Sequence, residues 1–278
     1  METRFCLKDS PTFRMIALDE VDSTNSFLRH LDTSGDQRLT LATAEFQSAG
    51  RGAGTNRWES ARGENLLFSL HMMPGNLPVR RMFAISEVTA LALKESFDSF
   101  SLPLQGRGGL SAAAPFTPPL EEEGETTIKW PNDIYFEDSK VAGMLIENDL
   151  QGALVQRSII GIGINVNQRR FVSDAPNPRS LADIVGHDVD RRLVLERFME
   201  RFMNYMPTLD ASKLDALDAL HNRYKSCLYR FGEEHEFVDE MGVFCARIID
   251  VEQSGHLVLQ DKAGSLRRYE FKEVKFRI

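Results

Sequence analysis

The chain has 278 residues, of which 42% are hydrophobic, and a formal charge of −8, enough apolar material for one large domain or for a large and a small one. Acidic residues outnumber basic ones and no Lys/Arg cluster is present to neutralise a row of phosphates, which excludes a general nucleic-acid binder; any phosphate must be met by a few placed cations. No apolar run approaches the roughly 20 residues that span a bilayer, and Cys6, Cys227 and Cys245 lie far apart without the spacing of a zinc or redox site, so a folded cytoplasmic protein with inert thiols is expected.

Phe13 to Leu18 reads as a strand, after which Asp22-Ser23-Thr24-Asn25 offers capping side chains to a helix over Asn25 to Leu31. Ser23 and Thr24 also stand where the mouth of a strand-to-helix turn can meet a polar ligand; position alone does not separate capping from binding. Leu39 to Phe46 is a second strand, and it breaks into a loop holding Gly50, Gly52 and Gly54, with Arg51 between the first two and Trp58 at its end. Glycine lets backbone N–H groups converge closely on an anion, Arg51 adds a forked set of donors, and Trp58 supplies a flat surface for a planar ring. No Gly-Lys-Ser/Thr follows, so this is not a Walker loop, and the spacing is wrong for a dinucleotide fingerprint. A flexible surface loop is the competing reading.

Asn65 to Met73 is a strand too apolar to be half exposed, and Val79 to Phe97 lines Met82, Phe83, Ile85, Val88, Leu91 and Leu93 along one helical face. Residues Ser101 to Thr127 differ from everything around them: rich in glycine, proline, alanine and acid, without a period of 2 or 3.6, they read as an exposed insertion. Next come Lys129-Trp130-Pro131-Asn132-Asp133, then Ile134-Tyr135-Phe136, a polar turn, and Lys140-Val141-Ala142-Gly143. The pattern is a strand, a kink at proline and a hairpin. Pro131 keeps Trp130 extended and removes a backbone donor, so Asn132 and Asp133 can turn toward a cleft. Gly143 sits where a side chain would block a ligand. By spacing alone, Lys129 and Lys140 are exposed strand-end charges.

Leu154 to Ile164 is a buried strand running into Gly161-Ile162-Gly163-Ile164-Asn165-Val166-Asn167. Its two glycines interrupt a β-branched run, which suggests close packing or a backbone surface facing a ligand. Asp190 to Met206 and Leu214 to Tyr229 read as helices. From about Tyr229 the texture changes to short alternating strands, Glu236 to Val238, Val243 to Val251, His256 to Gln260 and Leu266 to Phe271, which make a small β-barrel.

Taken in this order, the glycine loop, the Lys-Trp-Pro-Asn-Asp segment, the Lys-Val-Ala-Gly hairpin and the Gly-Ile-Gly-Ile-Asn-Val-Asn run closely resemble the biotin protein ligases, from about Phe13 to the C-terminus. The resemblance implies an α/β (α+β) fold: a mixed-sheet, class II synthetase-like catalytic domain over residues 1–228, interrupted by the insertion at 101–127, and an SH3-like domain over 229–278. It implies an ATP- and Mg2+-dependent ligase that makes biotinyl-5′-AMP and then transfers biotin to a lysine of a biotin carboxyl carrier protein, with no tightly bound prosthetic group. Carried over by motif, Arg51, Lys129 and Lys140 are the catalytic cations, the first and last on the biotin carboxylate and α-phosphate and Lys129 on the nucleotide phosphates. Ser23, Thr24, Asn25, Gln47, Gly50, Arg51, Lys140 and Gly143 fall at biotin. Gly52, Arg57, Trp58, Lys129, Asn132, Asp133 and Asn165 fall at ATP, with Asp133 also a magnesium contact.

The family loop commonly reads Gly-Arg-Gly-Arg-x-Gly-Arg-x-Trp, whereas Ala53 and Asn56 stand here in place of two arginines. Either Arg57 partly substitutes or the adenylate escapes more readily; in the second case Ala53→Arg slows its dissociation. A lipoate or octanoate ligase and a non-catalytic biotin-binding protein are the alternative readings. About a dozen residues precede the first catalytic strand, too few for a three-helix DNA reader, so DNA is not expected as a partner, and with no long apolar run neither is a membrane. Free sheet edges and the terminal barrel are compatible with a homodimer.

Overall fold

The computed structural model describes residues 8–10, 12–33, 36–101, 124–173 and 177–278. Two β-sheets organise them. The larger is built from β1 (Phe13–Val21), β2 (Leu39–Gln47), β3 (Leu66–Met72), β4 (Thr126–Lys129), β5 (Asp133–Phe136), β6 (Ser139–Gln151) and β7 (Leu154–Ile164). Their order is β1-β2-β3-β7-β6-β5-β4; β1 runs parallel to β2 and every other pairing is antiparallel, so the sheet is mixed as expected.

The two faces differ because strand side chains alternate. Leu41, Phe68, Leu70, Ile160, Ile162 and Ile164 point into the main core, which is closed by α2 (Ala84–Ser101), α4 (Arg191–Tyr205) and α5 (Leu214–Ser226). Phe68 of β3 meets Phe198 of α4 with ring centroids 5.3 Å apart. The opposite face carries Ser69, Gly161, Gly143 and Gly163 and is covered by the short α1 (Thr24–His30) through a small cluster of Leu28, Ala42 and Ile159. A further short helix, α3 (Leu181–Val185), follows the last strand.

Two sequence expectations change, and a third falls largely outside the described residues. The helix expected from Val79 begins at Ala84, because Val79–Arg81 forms a 3-10 turn whose buried Arg81 gives two hydrogen bonds to Asp218. The predicted insertion 101–127 lies, over residues 102–123, outside the described residues, while Thr126 and Thr127 belong to β4. Ser23 occupies the N-cap position of α1 but makes no side-chain capping bond there.

The second sheet is antiparallel, with β8 (Glu234–Asp239), β9 (Gly242–Val251), β10 (Leu257–Asp261), β11 (Leu266–Tyr269) and β12 (Lys275–Phe276) in the order β11-β10-β9-β8-β12. The two-residue β12 gives too short an alternation to be read from sequence. Its neighbours dock against the Lys-Trp-Pro-Asn-Asp segment: the Trp130 indole N–H donates to the Gly255 carbonyl at 2.9 Å, and its ring meets Phe271 edge-on at 6.5 Å. No helix among the described residues is long and apolar enough to cross a membrane.

Candidate active site

A single cleft gathers most of the residues singled out by sequence. It is lined by Ser23, Thr24 and Asn25 from the start of α1, Gln47 at the end of β2, Arg51, Gly52, Ala53 and Trp58 from the loop, Asn132 and Asp133 at β5, and Lys140 and Gly143 on β6. Gly161 and Gly163 of β7 complete its floor.

The floor is bare for a reason of register. Gly143 pairs with Gly163 across β6 and β7, so two adjacent strands lack side chains at the same level. The Trp58 indole rests on them: a Cβ at Gly163 would stand 2.3 Å from its ring, and one at Gly143 2.9 Å from it. One register step along, Gly161 does the same for α1, since a Cβ there would lie 2.2 Å from Asn25 Oδ1. The glycines thus permit close approach, as their positions in an otherwise β-branched run suggest.

The α1 side of the cleft is a largely buried network of neutral groups that ends on one carboxylate. The Thr24 N–H donates to Gln47 Oε1 at 2.7 Å, and Thr24 Oγ1 is 2.6 Å from Ser69 Oγ, whose hydroxyl donates to Asn25 Oδ1 at 2.6 Å. Asn25 Nδ2 passes the chain on to Glu147 Oε2 at 2.9 Å. Ser23, Thr24 and Asn25 are each only 3% exposed. The side chains at the start of α1 thus lie in the cleft wall, and Ser23 makes no side-chain capping bond.

The other end holds the charges. Arg51 makes an ion pair with Glu147 at 2.9 Å, and Lys140 one with Asp133 at 2.7 Å; Lys140 also lies 5.5 Å above the Trp58 ring. Asn132 donates from Nδ2 to the Met144 carbonyl, and Asn165 from Nδ2 to the Lys140 carbonyl, so both fix the backbone around β6. Lys140 is thus neither free nor fully exposed, contrary to the strand-end reading.

Not every predicted residue reaches the cleft. Lys129 lies outside its walls, with Nζ 5.2 Å from the Tyr135 ring and 4.7 Å from the ring of Phe276 on β12. Burial there pulls its pKa below the usual lysine value, against the opposing pull of Asp133. Arg57 is exposed and joins Arg51 only through a backbone bridge, which closes the loop upon itself. Gly50 lies behind the wall, where a Cβ would stand 2.9 Å from the Trp58 carbonyl. Asn165 is likewise set back from the cleft.

Sequence reasoning missed Glu147 and Ser69. Both carry a usable signal: each is a polar residue inside an apolar strand, where an unpaired group is costly and a partner is expected.

Two orphaned or lightly held groups bear on ligands. The Trp58 indole N–H is buried and has no acceptor among the described residues, so it is available to a bound group. Magnesium carried by nucleotide phosphates needs only one or two protein carboxylates. Asp133 is the carboxylate in the cleft wall, and no cluster of three acidic, histidine or cysteine side chains able to hold a metal exists among the described residues. This donor set fits a metal brought with a nucleotide better than a resident one.

The open space amounts to about 50 Å³, well below the roughly 300 Å³ at which ligand pockets begin. Trp58 takes up the missing room, lying on the glycine floor.

Comparison with known proteins agrees with this architecture. Residues 17–165 match the model of the biotin/lipoate A/B protein ligase family, a span that includes the whole cleft. The bifunctional ligase/repressor BirA of Bacillus spizizenii is 28% identical over 96% of this chain and 76% of its own length. A biotin–[acetyl-CoA-carboxylase] ligase of Paracoccus denitrificans is 28% identical over 89% of this chain and 94% of its own. Among solved structures, the biotin protein ligase of Aquifex aeolicus in complex with biotin and ATP aligns with a TM-score of 0.68 and 26% identity, covering 95% of this chain and 98% of that one. With the family model spanning more than half of the chain and the glycine floor, loop and hairpin all inside the match, this protein belongs to the biotin/lipoate A/B protein ligase family.

Proposed function

We propose that this protein is a biotin protein ligase that activates biotin with ATP and transfers it to a lysine of a biotin carboxyl carrier protein. The observation that carries the proposal is one cleft in which neutral hydrogen-bonding groups stand beside two cations over a glycine floor. Biotin's ureido group needs paired donors and acceptors in a dry setting, which Thr24, Gln47, Ser69 and Asn25 are suited to supply. Its carboxylate, at the far end of an aliphatic chain, needs cations, and Arg51 and Lys140 line the same cleft.

In the first step the biotin carboxylate oxygen attacks the α-phosphorus of ATP, the bond to the bridging oxygen breaks, and pyrophosphate leaves with the negative charge. Two anions meet in that step, so fixed cations lower its barrier most where charge gathers on the phosphoryl oxygens. Arg51 and Lys140 take this part, exchanging Glu147 and Asp133 for ligand oxygens. Magnesium bound to the phosphates would supply further charge neutralisation, with Asp133 the side chain to hold it. Trp58, lifted from the floor, offers its ring face to the adenine. In the second step a deprotonated carrier lysine attacks the acyl carbon and AMP departs; the mixed anhydride is already activated, and positioning suffices.

The test is pyrophosphate–ATP exchange with biotin, lipoate and octanoate offered separately to the purified protein. Exchange with biotin alone is expected. Exchange with lipoate or octanoate would reassign the pocket to the other branch of the family, and exchange with none would leave a binding protein without the activating step.

A further inference from the structure

The loop between Arg51 and Arg57 reads Gly-Ala-Gly-Thr-Asn and carries no cation of its own, although its residues Gly52 and Ala53 line the cleft. A cation reaches it from elsewhere. Lys272, in the turn between β11 and β12 of the second sheet, lays its Nζ directly on the backbone of Gly54: a Cβ built on Gly54 would stand only 1.6 Å from that nitrogen. Gly54 has φ +71 and is the one residue type that both adopts this conformation freely and leaves the lysine its place.

Lys272 itself has φ 76, a left-handed backbone that a side-chain-bearing residue adopts only at a cost. Its ammonium lies 5.8 Å from the Phe271 ring centroid, and no carboxylate lies within ion-pair distance among the described residues. The neighbouring acids are engaged otherwise: Glu273 accepts the Glu270 N–H at 2.6 Å, and Glu270 faces His256 at 3.5 Å. The turn is held in this position by the contact of Phe271 with Trp130, which belongs to the segment leading into Asp133. An unpaired ammonium, in a conformation that glycine would adopt more easily, is thus set against the one cation-poor stretch of a loop that borders the cleft.

From this we propose that Lys272 is a nucleotide-binding residue, which contributes from the second sheet the charge that the loop lacks and meets the β- or γ-phosphate of ATP when the loop closes. The proposal rests on ATP being a substrate of the cleft, as proposed above.

Calorimetric titration of ATP into the full chain tests it, with Lys272→Gly and Lys272→Arg beside the unaltered protein. Lys272→Gly is expected to weaken ATP roughly tenfold or more, the scale of one lost charge-assisted bond. Biotin affinity should be unchanged and the melting temperature equal or higher, since glycine suits φ 76. Lys272→Arg keeps the charge and should bind ATP nearly as the unaltered protein does. Equal ATP affinity in Lys272→Gly and the unaltered chain overturns the proposal, as does an equal weakening of biotin, which would mark a general disturbance of the loop. Weakened ATP binding in a protein that exchanges pyrophosphate with lipoate instead of biotin would support Lys272 while displacing the acid proposed above. Absence of ATP binding by the unaltered protein would remove both proposals.

Discussion

The two ends of the cleft are built on opposite principles. At the α1 end, Thr24, Gln47, Ser69 and Asn25 are joined in a chain of hydrogen bonds that ends on the Glu147 carboxylate, with Thr24, Asn25 and Ser69 buried. At the loop end, Arg51 and Lys140 are each tied to a carboxylate, which in the proposed reaction a ligand anion replaces. Neutral groups can be fixed in place before a ligand arrives, because leaving them paired costs little and their geometry is what selects the ligand. Cations near a low-dielectric cleft need a counter-charge at all times, so the protein supplies one that can be exchanged. Glu147 joins the ends, accepting from both Asn25 and Arg51.

Removing a charge should separate the ends most strongly. Lys140→Ala is expected to lower biotin-dependent pyrophosphate exchange by about 10²–10³, the range for loss of one group that stabilises developing charge. A drop of only a fewfold, in a protein that still melts normally, would mean that the charged end does not bear on the chemical step.

The second effect belongs to the floor. Gly161→Ala puts a Cβ 2.2 Å from Asn25 Oδ1 and must push that side chain out of the neutral chain. A displacement on this scale costs on the order of 10²-fold where positioning matters. It should show as a raised KM for biotin with KM for ATP little altered; an equal change in both would deny that the neutral end recognises the acid.

A third comparison concerns folding. Asn25→Ala removes the acceptor of the Ser69 hydroxyl and a donor to Glu147, leaving buried groups unmatched. It should destabilise the ligand-free protein by about 1–3 kcal/mol in denaturant unfolding. Arg51→Ala, whose side chain is 43% exposed, should by contrast change stability by less than about 1 kcal/mol. Equal losses would erase the distinction between a structural end and an exchangeable one.

The smallest effect is a pH dependence at Lys129. Its pKa lies below the usual 10.5 because of burial, so as pH rises the folded chain gives up this proton before the unfolded chain does. Between the two values the unfolded state binds more protons, and stability gains a positive slope with pH. The cation is lost over the same interval, so ATP affinity falls where stability rises. Lys129→Met should raise stability at neutral pH, weaken ATP severalfold and flatten both slopes. An unchanged ATP titration across that alkaline interval would leave Lys129 a packing residue between Tyr135 and Phe276.

Much of this site was legible because its parts are local. The turn after β1, the glycine loop, the proline segment and the hairpin are each contiguous, and a glycine within a β-branched run or a proline before two polar residues has a stereochemical meaning wherever it occurs. The individual strands follow from periodicity in the same way, whereas the mixed sheet they form was expected only from the family resemblance. The partners were not legible. Arg51 and Glu147 are 96 residues apart and Asn25 and Glu147 are 122 apart; what joins them is the register of β6 on β7 and of β7 on β3, and periodicity carries no register between distant strands.

The sequence by itself determined the residue types of the cleft, the order in which they arrive and the family to which they point, since short motifs encode backbone shape and side-chain chemistry together. Only the tertiary structure decided that Gly143 and Gly163 lie side by side beneath Trp58, that Lys129 is held between rings instead of in the cleft wall, and that a lysine of the second sheet rests on the glycine loop. These depend on strand register and on how one sheet docks against the other, which are set by burial summed over the whole core and by no single segment of chain.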